Sequence, residues 1–348
     1  MQDYLIKPYI LVFLMITILG CQNKDDQNNV GRIQPTIPCN IIRFDQELVS
    51  LNKDEVTADF DRLRTKYPAF SDLYFNQIVP VPEDMPLRDF ISKTIADTLY
   101  LDLYSEVQKS YKDLTSLERE ICQTLENYLK IFPGSNQSVP NIYTFISGFV
   151  YQCFLFSDEN GEGIGLGLDL FLGDEFDYRS LNPTDPAFSD YLTRTYNREH
   201  VTRKIAEVLI EDKLPPPTKN DFMTYMIWGG KKLFILDKIL DFKPDTIITE
   251  FTENQLNWSR ENQAGIWNYF FEKNLFYATN PNLFNKLIAP APGVPDMPPD
   301  APGGVANYIG WLIVEAYMER NPNESIMDLI ANMDAQDILD KSRYKPNR

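Results

Sequence analysis

Apolar positions change their spacing several times along the chain, and each change marks an element. Tyr9 to Cys21, YILVFLMITILGC, is apolar throughout and follows one basic residue, Lys7. The run is shorter than the roughly 20 residues that span a bilayer. It ends in Ile18-Leu19-Gly20-Cys21, the form of a bacterial lipobox. Small Gly20 gives a signal peptidase access to the next bond, and the Cys21 thiol is a ready acceptor for a diacylglycerol thioether. Residues 1–20 are therefore expected to be a lipoprotein signal peptide. Residues 21–39, polar and broken by Pro35 and Pro38, are expected to form a flexible tether.

From residue 40 to residue 348 the patterns predict a single, mainly α-helical globular domain of the α+β class. Its helices surround a small antiparallel sheet with a central hairpin near 140–173, and a degenerate zincin-like core is one version of that arrangement. Ile41, Ile42 and Phe44 suggest a short opening strand, and helices are predicted over 55–66, 86–109 and 116–129. Val139 to Ser157 is rich in aromatic and β-branched residues and reads as strand. Asp158-Glu159-Asn160-Gly161 reads as a tight turn, and the glycine-alternating stretch from Gly163 to Gly173 as the return strand. That stretch completes neither GxGxxG nor GxxxxGK[ST], so its glycines imply close backbone approach rather than a phosphate loop. A helix is expected from Ser189 to Leu214, stopped by Pro215-Pro216-Pro217, and another from Phe222 to Leu240, interrupted at Gly229-Gly230. Thr252-Glu253-Asn254-Gln255 is a capping box ahead of an aromatic stripe of Trp267, Phe270 and Phe271. Ala289 to Gly304 is too rich in proline and glycine to be anything but a loop. Val305, Tyr308, Ile309, Leu312, Ile313, Ala316 and Tyr317 then follow helical spacing, predicting a helix at the heart of the fold.

Charge narrows the range of partners. With 33 basic against 50 acidic residues the net charge is -17, which repels nucleic acid and anionic headgroups. Attachment to a membrane then rests on lipid at Cys21. Gln22 after that cysteine favours passage to the outer membrane, and Lys24-Asp25-Asp26 resembles a short surface-export signal, so the leaflet stays open. Cys39, Cys122 and Cys153 remain; one disulfide among them, with three pairings open, fits an oxidising compartment, and buried free thiols fit the sequence equally well.

Candidate chemistry is sparse. His200 is the only histidine. Read as HExxH, the frame His200-Val201-Thr202-Arg203-Lys204 places Val201 where a carboxylate base belongs and Lys204 where the second imidazole belongs, so at most it is a degenerate zincin position. Asp169, Asp174 and Asp177 form a carboxylate patch of the kind hard cations favour, but EF-hand spacing is missing, a solvated acidic turn is the ordinary reading, and neither a metal nor a cofactor is expected. No GxSxG elbow is present, and Ser342-Arg343-Tyr344-Lys345 matches SxxK only in the tail. Paired carboxylates alone suffice for glycoside hydrolysis, and Asp158, Glu162 and Asp169 are the candidates for that rival reading, a glycan-binding or degraded metallopeptidase-like surface lipoprotein.

Several blocks carry a resemblance. Ile42-Arg43-Phe44-Asp45, Tyr67-Pro68-Ala69-Phe70, Met226-Ile227-Trp228-Gly229-Gly230-Lys231-Lys232-Leu233, Glu261-Asn262-Gln263-Ala264-Gly265-Ile266-Trp267, Tyr308-Ile309-Gly310-Trp311 and Tyr344-Lys345-Pro346, in this order and behind a lipobox, resemble the gliding motility lipoprotein B (GldB) family of Bacteroidetes. The resemblance implies a cell-envelope lipoprotein needed for surface gliding and tied to the associated protein-secretion machinery; the lack of competing chemistry makes a non-enzymatic role, through contacts with other envelope proteins, the expectation. It offers no catalytic residues to carry over.

Overall fold

The computed structural model describes residues 33–134 and 138–347. Four strands make one mixed sheet: β1 (Ile41–Ile42), β2 (Asn141–Phe145), β3 (Cys153–Asp158) and β4 (Gly161–Gly167), in the order β1-β2-β4-β3. β1, β2 and β4 run parallel; only β3 is antiparallel, paired with β4 across the hairpin at Asp158–Gly161. The expected hairpin is present, but the expectation of an antiparallel sheet is corrected to a mixed one. The long apolar run is two strands rather than one, because Gly148 at φ 69° and Phe149 at φ 67° turn the chain out of extended geometry. That break lets β2 cross to the far side of β4.

Strand alternation sends side chains into two cores. Ile142, Ile164 and Leu166 join the larger core with residues of the helices Thr115–Ile131, Val201–Glu211, Phe222–Ile239 and Val305–Arg320. Tyr143 and Phe145 face the smaller, aromatic core with Phe44, Phe60, Phe70, Tyr74 and Phe75 from the N-terminal helices. Each apolar side chain so buried contributes about 1.5–3 kcal/mol. The glycines of β4 have a packing role: a Cβ at Gly163 or Gly165 would strike the Phe156 or Phe154 ring of β3, so the bare backbone makes a trough for two aromatic rings.

Helix ends follow local chemistry. The predicted 86–109 helix is broken by Asp97, which accepts from the Tyr100 amide and caps Thr98–Tyr111. The 189–214 region likewise opens with short turns, Asp190–Thr193 and Arg198–His200, before the helix proper begins at Val201. Phe222–Ile239, by contrast, runs unbroken through Gly229-Gly230. A Cβ on Gly230 would fall 2.1 Å from the Gly310 carbonyl carbon, and one on Gly310 would fall 2.0 Å from the Met226 oxygen. The glycines let this helix and Val305–Arg320 cross backbone to backbone, which returns more than their low helix propensity costs.

A disulfide joins Cys39 to Cys122 in the Thr115–Ile131 helix, and Cys153 is free. Just ahead of it Ile33 is buried, and the Thr36 amide donates to Glu126 at 2.6 Å. The 289–304 segment is a loop, closed at its neck where Gly303 lies against Ala291 and the Gly304 amide donates to the Lys286 carbonyl at 3.1 Å.

Candidate functional site

A concavity opens at the start of β3. Two adjoining cavities of about 510 and 290 Å³ share Gln152, Lys204, Glu207, Trp228 and Lys232 as walls. The Val201–Glu211 helix forms the floor for a sequence reason. Val201, Ile205, Ala206, Leu209 and Ile210 face the core, and this leaves Arg203, Lys204 and Glu207 at i, i+1 and i+4 on the remaining face. The Phe222–Ile239 helix adds Trp228 and Lys232, one turn apart. Glu250 arrives from the end of the Asp245–Thr249 helix in a left-handed conformation, φ 57°, uncommon for a non-glycine residue. The neck of the proline-rich loop and Asn307 close the inner end.

These charges hold one another. Arg203 lies 2.5 Å from Glu207 and 3.6 Å from Glu250; Lys204 lies 2.8 Å from Glu250 and 3.5 Å from Glu207; Lys232 also pairs with Glu207. Burial alone would raise the Glu207 carboxyl, but Arg203, Lys204 and Lys232 outweigh it and keep the group well below the ordinary carboxylate range. Glu250 is lowered against burial by Arg203 and Lys204, and Lys204 is raised against burial by Glu250 and Glu207. Arg194 stands apart. It donates to the Glu250 carbonyl at 2.7 Å and to Gln255 at 2.9 Å, has no carboxylate within ion-pair distance among the described residues, and is lowered by burial. Its Nε and the Asn307 Oδ1, both on residues of the inner cavity wall, are buried without a hydrogen-bond partner among the described residues. The inner cavity thus sets four cations against two carboxylates.

Of the residues singled out from sequence, Lys204 lies in this cleft. His200 does not line it; its ring nitrogen pairs with Asn197 at 2.8 Å at the helix start, and burial lowers its pKa to about 4. The i, i+1, i+4 pattern falls on Arg203, Lys204 and Glu207, three residues beyond the frame anchored on His200. The sequence signal was the charged triplet itself, set among the apolar positions of an amphipathic helix. Glu250 and Lys232 had no local signal, since only tertiary folding brings them to that triplet.

Asp169 is fully buried and accepts from the Phe149 amide at 2.6 Å and the Ser147 amide at 3.1 Å, which ties down the turn between β2 and β3. Asp174 is exposed, and exposed Asp177 caps the Tyr178–Leu181 turn through the Ser180 amide, so the proposed carboxylate patch is not assembled. Among the described residues no group of three histidine, cysteine or acidic side chains is placed to hold a metal ion. Nor do Asp158, Glu162 and Asp169 converge: Asp158 accepts from Asn141 and Tyr143, each at 2.8 Å, at the hairpin end of the sheet, and none of the three lines the cleft. In the aromatic stripe Ile266 and Phe270 are buried in the core, while Phe271 is exposed. Cys21 lies outside the described residues. No helix among the described residues is long and apolar enough to cross a membrane.

The chain matches the family model described as gliding motility protein GldB over residues 23–346 and belongs to that family. No curated protein and no solved structure matches it.

Proposed function

We propose that this chain is a non-enzymatic, lipid-anchored cell-envelope protein, held to the outer membrane through Cys21, that supports gliding motility and the associated secretion machinery through protein contacts. The observation that carries the reading is the state of the cleft charges. Glu207 and Glu250 are kept ionised by cations, so neither is poised as a general acid, and Lys204 is kept protonated, so it offers no free amine nucleophile. A large concavity whose carboxylates are held ionised by an excess of cations is better suited to holding a partner than to turnover. Family membership supports the motility role. Crosslinking in intact cells followed by purification from membranes should return the chain joined to other envelope proteins. A chain that always emerges alone, or turnover on a peptide or glycan panel that Glu207→Gln abolishes, would overturn the reading.

A second reading is favoured by one arrangement: Arg203, Lys204 and Glu207 occupy the spacing of HExxH, Glu250 stands where a carboxylate ligand would complete a His₂Glu zinc site, and an antiparallel edge strand borders the cleft. On this reading the cleft descends from a metallopeptidase groove in which side-chain cations replace the ion's charge. The triple change R203H/K204E/E207H should then bind one zinc per chain, and adding Glu250→Gln should weaken that binding. A folded triple variant that takes up no zinc removes this reading.

A further inference from the structure

β3 is an edge strand. Among the described residues it pairs with β4 alone, and the Gly167 amide donates to the Gln152 carbonyl at 2.9 Å, which sets the alternation of the antiparallel ladder. Gln152, Phe154 and Phe156 therefore turn their backbone groups to β4, while Cys153, Leu155 and Ser157 turn theirs outward. Those outward groups find no hydrogen-bond partner in any other element among the described residues. Edge strands left open in this way are templates for a further strand. Cys153, the first residue of this edge, lines the outer cavity, and Gln152 just before it lines the cation-rich inner one, in a chain whose net charge is -17.

We propose that the free edge of β3 and the adjoining cavity together bind an extended, carboxylate-bearing peptide segment of a partner protein. The backbone of that segment adds a strand beside Cys153, Leu155 and Ser157. One acidic side chain enters the inner cavity, where Arg194, Arg203, Lys204 and Lys232 exceed Glu207 and Glu250 by two charges. Arg194 Nε and Asn307 Oδ1, buried on residues of the same wall, have no hydrogen-bond partner among the described residues. The outer cavity, with Val208, Leu214, Pro216 and Trp228, offers an apolar wall to the neighbouring residue; Glu211 at its mouth disfavours a second acid there. This rests on the reading that the chain acts through protein contacts and names where one of them is made.

The test is fluorescence anisotropy on the natural chain in detergent micelles, with a labelled alternating Thr-Val peptide carrying one central Glu. Saturable binding is expected. Replacing that Glu with Gln, or N-methylating the peptide along one edge, should weaken binding by about tenfold or more, whereas methylation along its other edge should not. Lys232→Gln, at a partly exposed position, should weaken the Glu peptide and not the Gln peptide. Equal binding of the Glu and Gln peptides, equal binding of the two methylated forms, or no binding at about 1 mM would overturn the proposal. Envelope partners that crosslink equally to wild type and to Lys232→Gln would remove this cleft from the assembly and leave the wider reading standing.

Discussion

Near β1, Arg43 and Asp45 form a closed pair: the carboxylate, fully buried, accepts from Arg43 at 2.7 and 3.0 Å, from the Thr144 hydroxyl at 2.5 Å and from Gln108 at 3.2 Å. Arg43 also donates to the Tyr111 carbonyl at 2.8 Å. The cleft is built from the same residue types and is left open. Glu207 is 27% exposed, cations outnumber carboxylates, and donors and acceptors on its wall have no partner among the described residues. A balanced network sealed from water serves the fold, because breaking it strands a charge. A network with surplus charge facing a cavity keeps part of its capacity for something that arrives from outside.

The contrast breaks first at Asp45. Asp45→Ala should cost about 3 kcal/mol by leaving the part-buried Arg43 without its countercharge and the Thr144 hydroxyl without its carboxylate acceptor, read as a drop in urea midpoint. If Glu207→Gln cost as much, the cleft would be a second structural network and the comparison would fail.

Buried groups without a countercharge come next. Asp169 is held by neutral donors, and burial, partly offset by the Phe149 and Ser147 hydrogen bonds, raises its pKa to about 6. Its folded pKa lies above the unfolded value, so its stabilising contribution is present below about pH 4 and is lost as pH rises through about 6. His200, lowered to about 4, behaves oppositely: its contribution is present above about pH 6.5 and is lost as pH falls through about 4. Each is worth roughly 3 kcal/mol at full span. Relative to wild type, His200→Gln should therefore gain stability on acidification from pH 6.5 to 4, and Asp169→Asn should lose it. Urea midpoints across that range would show the two signs, and slopes of one sign would contradict the burial assigned to one of the groups.

Gly230 asks what shapes the cleft wall. Gly230→Ala forces Phe222–Ile239 away from Val305–Arg320 and should cost about 1–3 kcal/mol in thermal unfolding. Loss of cleft binding in the same variant would show that helix crossing, rather than the ion pairs, sets the position of Lys232. Smallest should be Lys232→Gln, below about 1 kcal/mol in stability because the side chain is part-exposed. A larger cost there would move the cleft toward the closed type.

Local periodicity was sufficient for much of the fold. The Val305–Arg320 helix, the capping box at Thr252 and Gln255, and the turn at Asp158–Gly161 all form where the residues place them, because each depends on neighbours a few positions away. The family resemblance was also legible, since its blocks lie in order along the chain. Sheet order was not: a parallel β2–β4 pairing depends on where Gly148 and Phe149 send the chain, and either neighbour of β4 satisfies the same alternation. The uninterrupted Gly229-Gly230 helix was hidden as well, because its compensation comes from Gly310, far along the chain. The cleft was legible only at Lys204. By itself the sequence determined the elements, the acidic balance and the poverty of catalytic motifs, all local or additive properties. Tertiary structure alone decided that Glu250 and Lys232 meet Arg203, Lys204 and Glu207 beside an open strand edge, because charges distant in sequence interact only after the chain has brought them within a few ångströms.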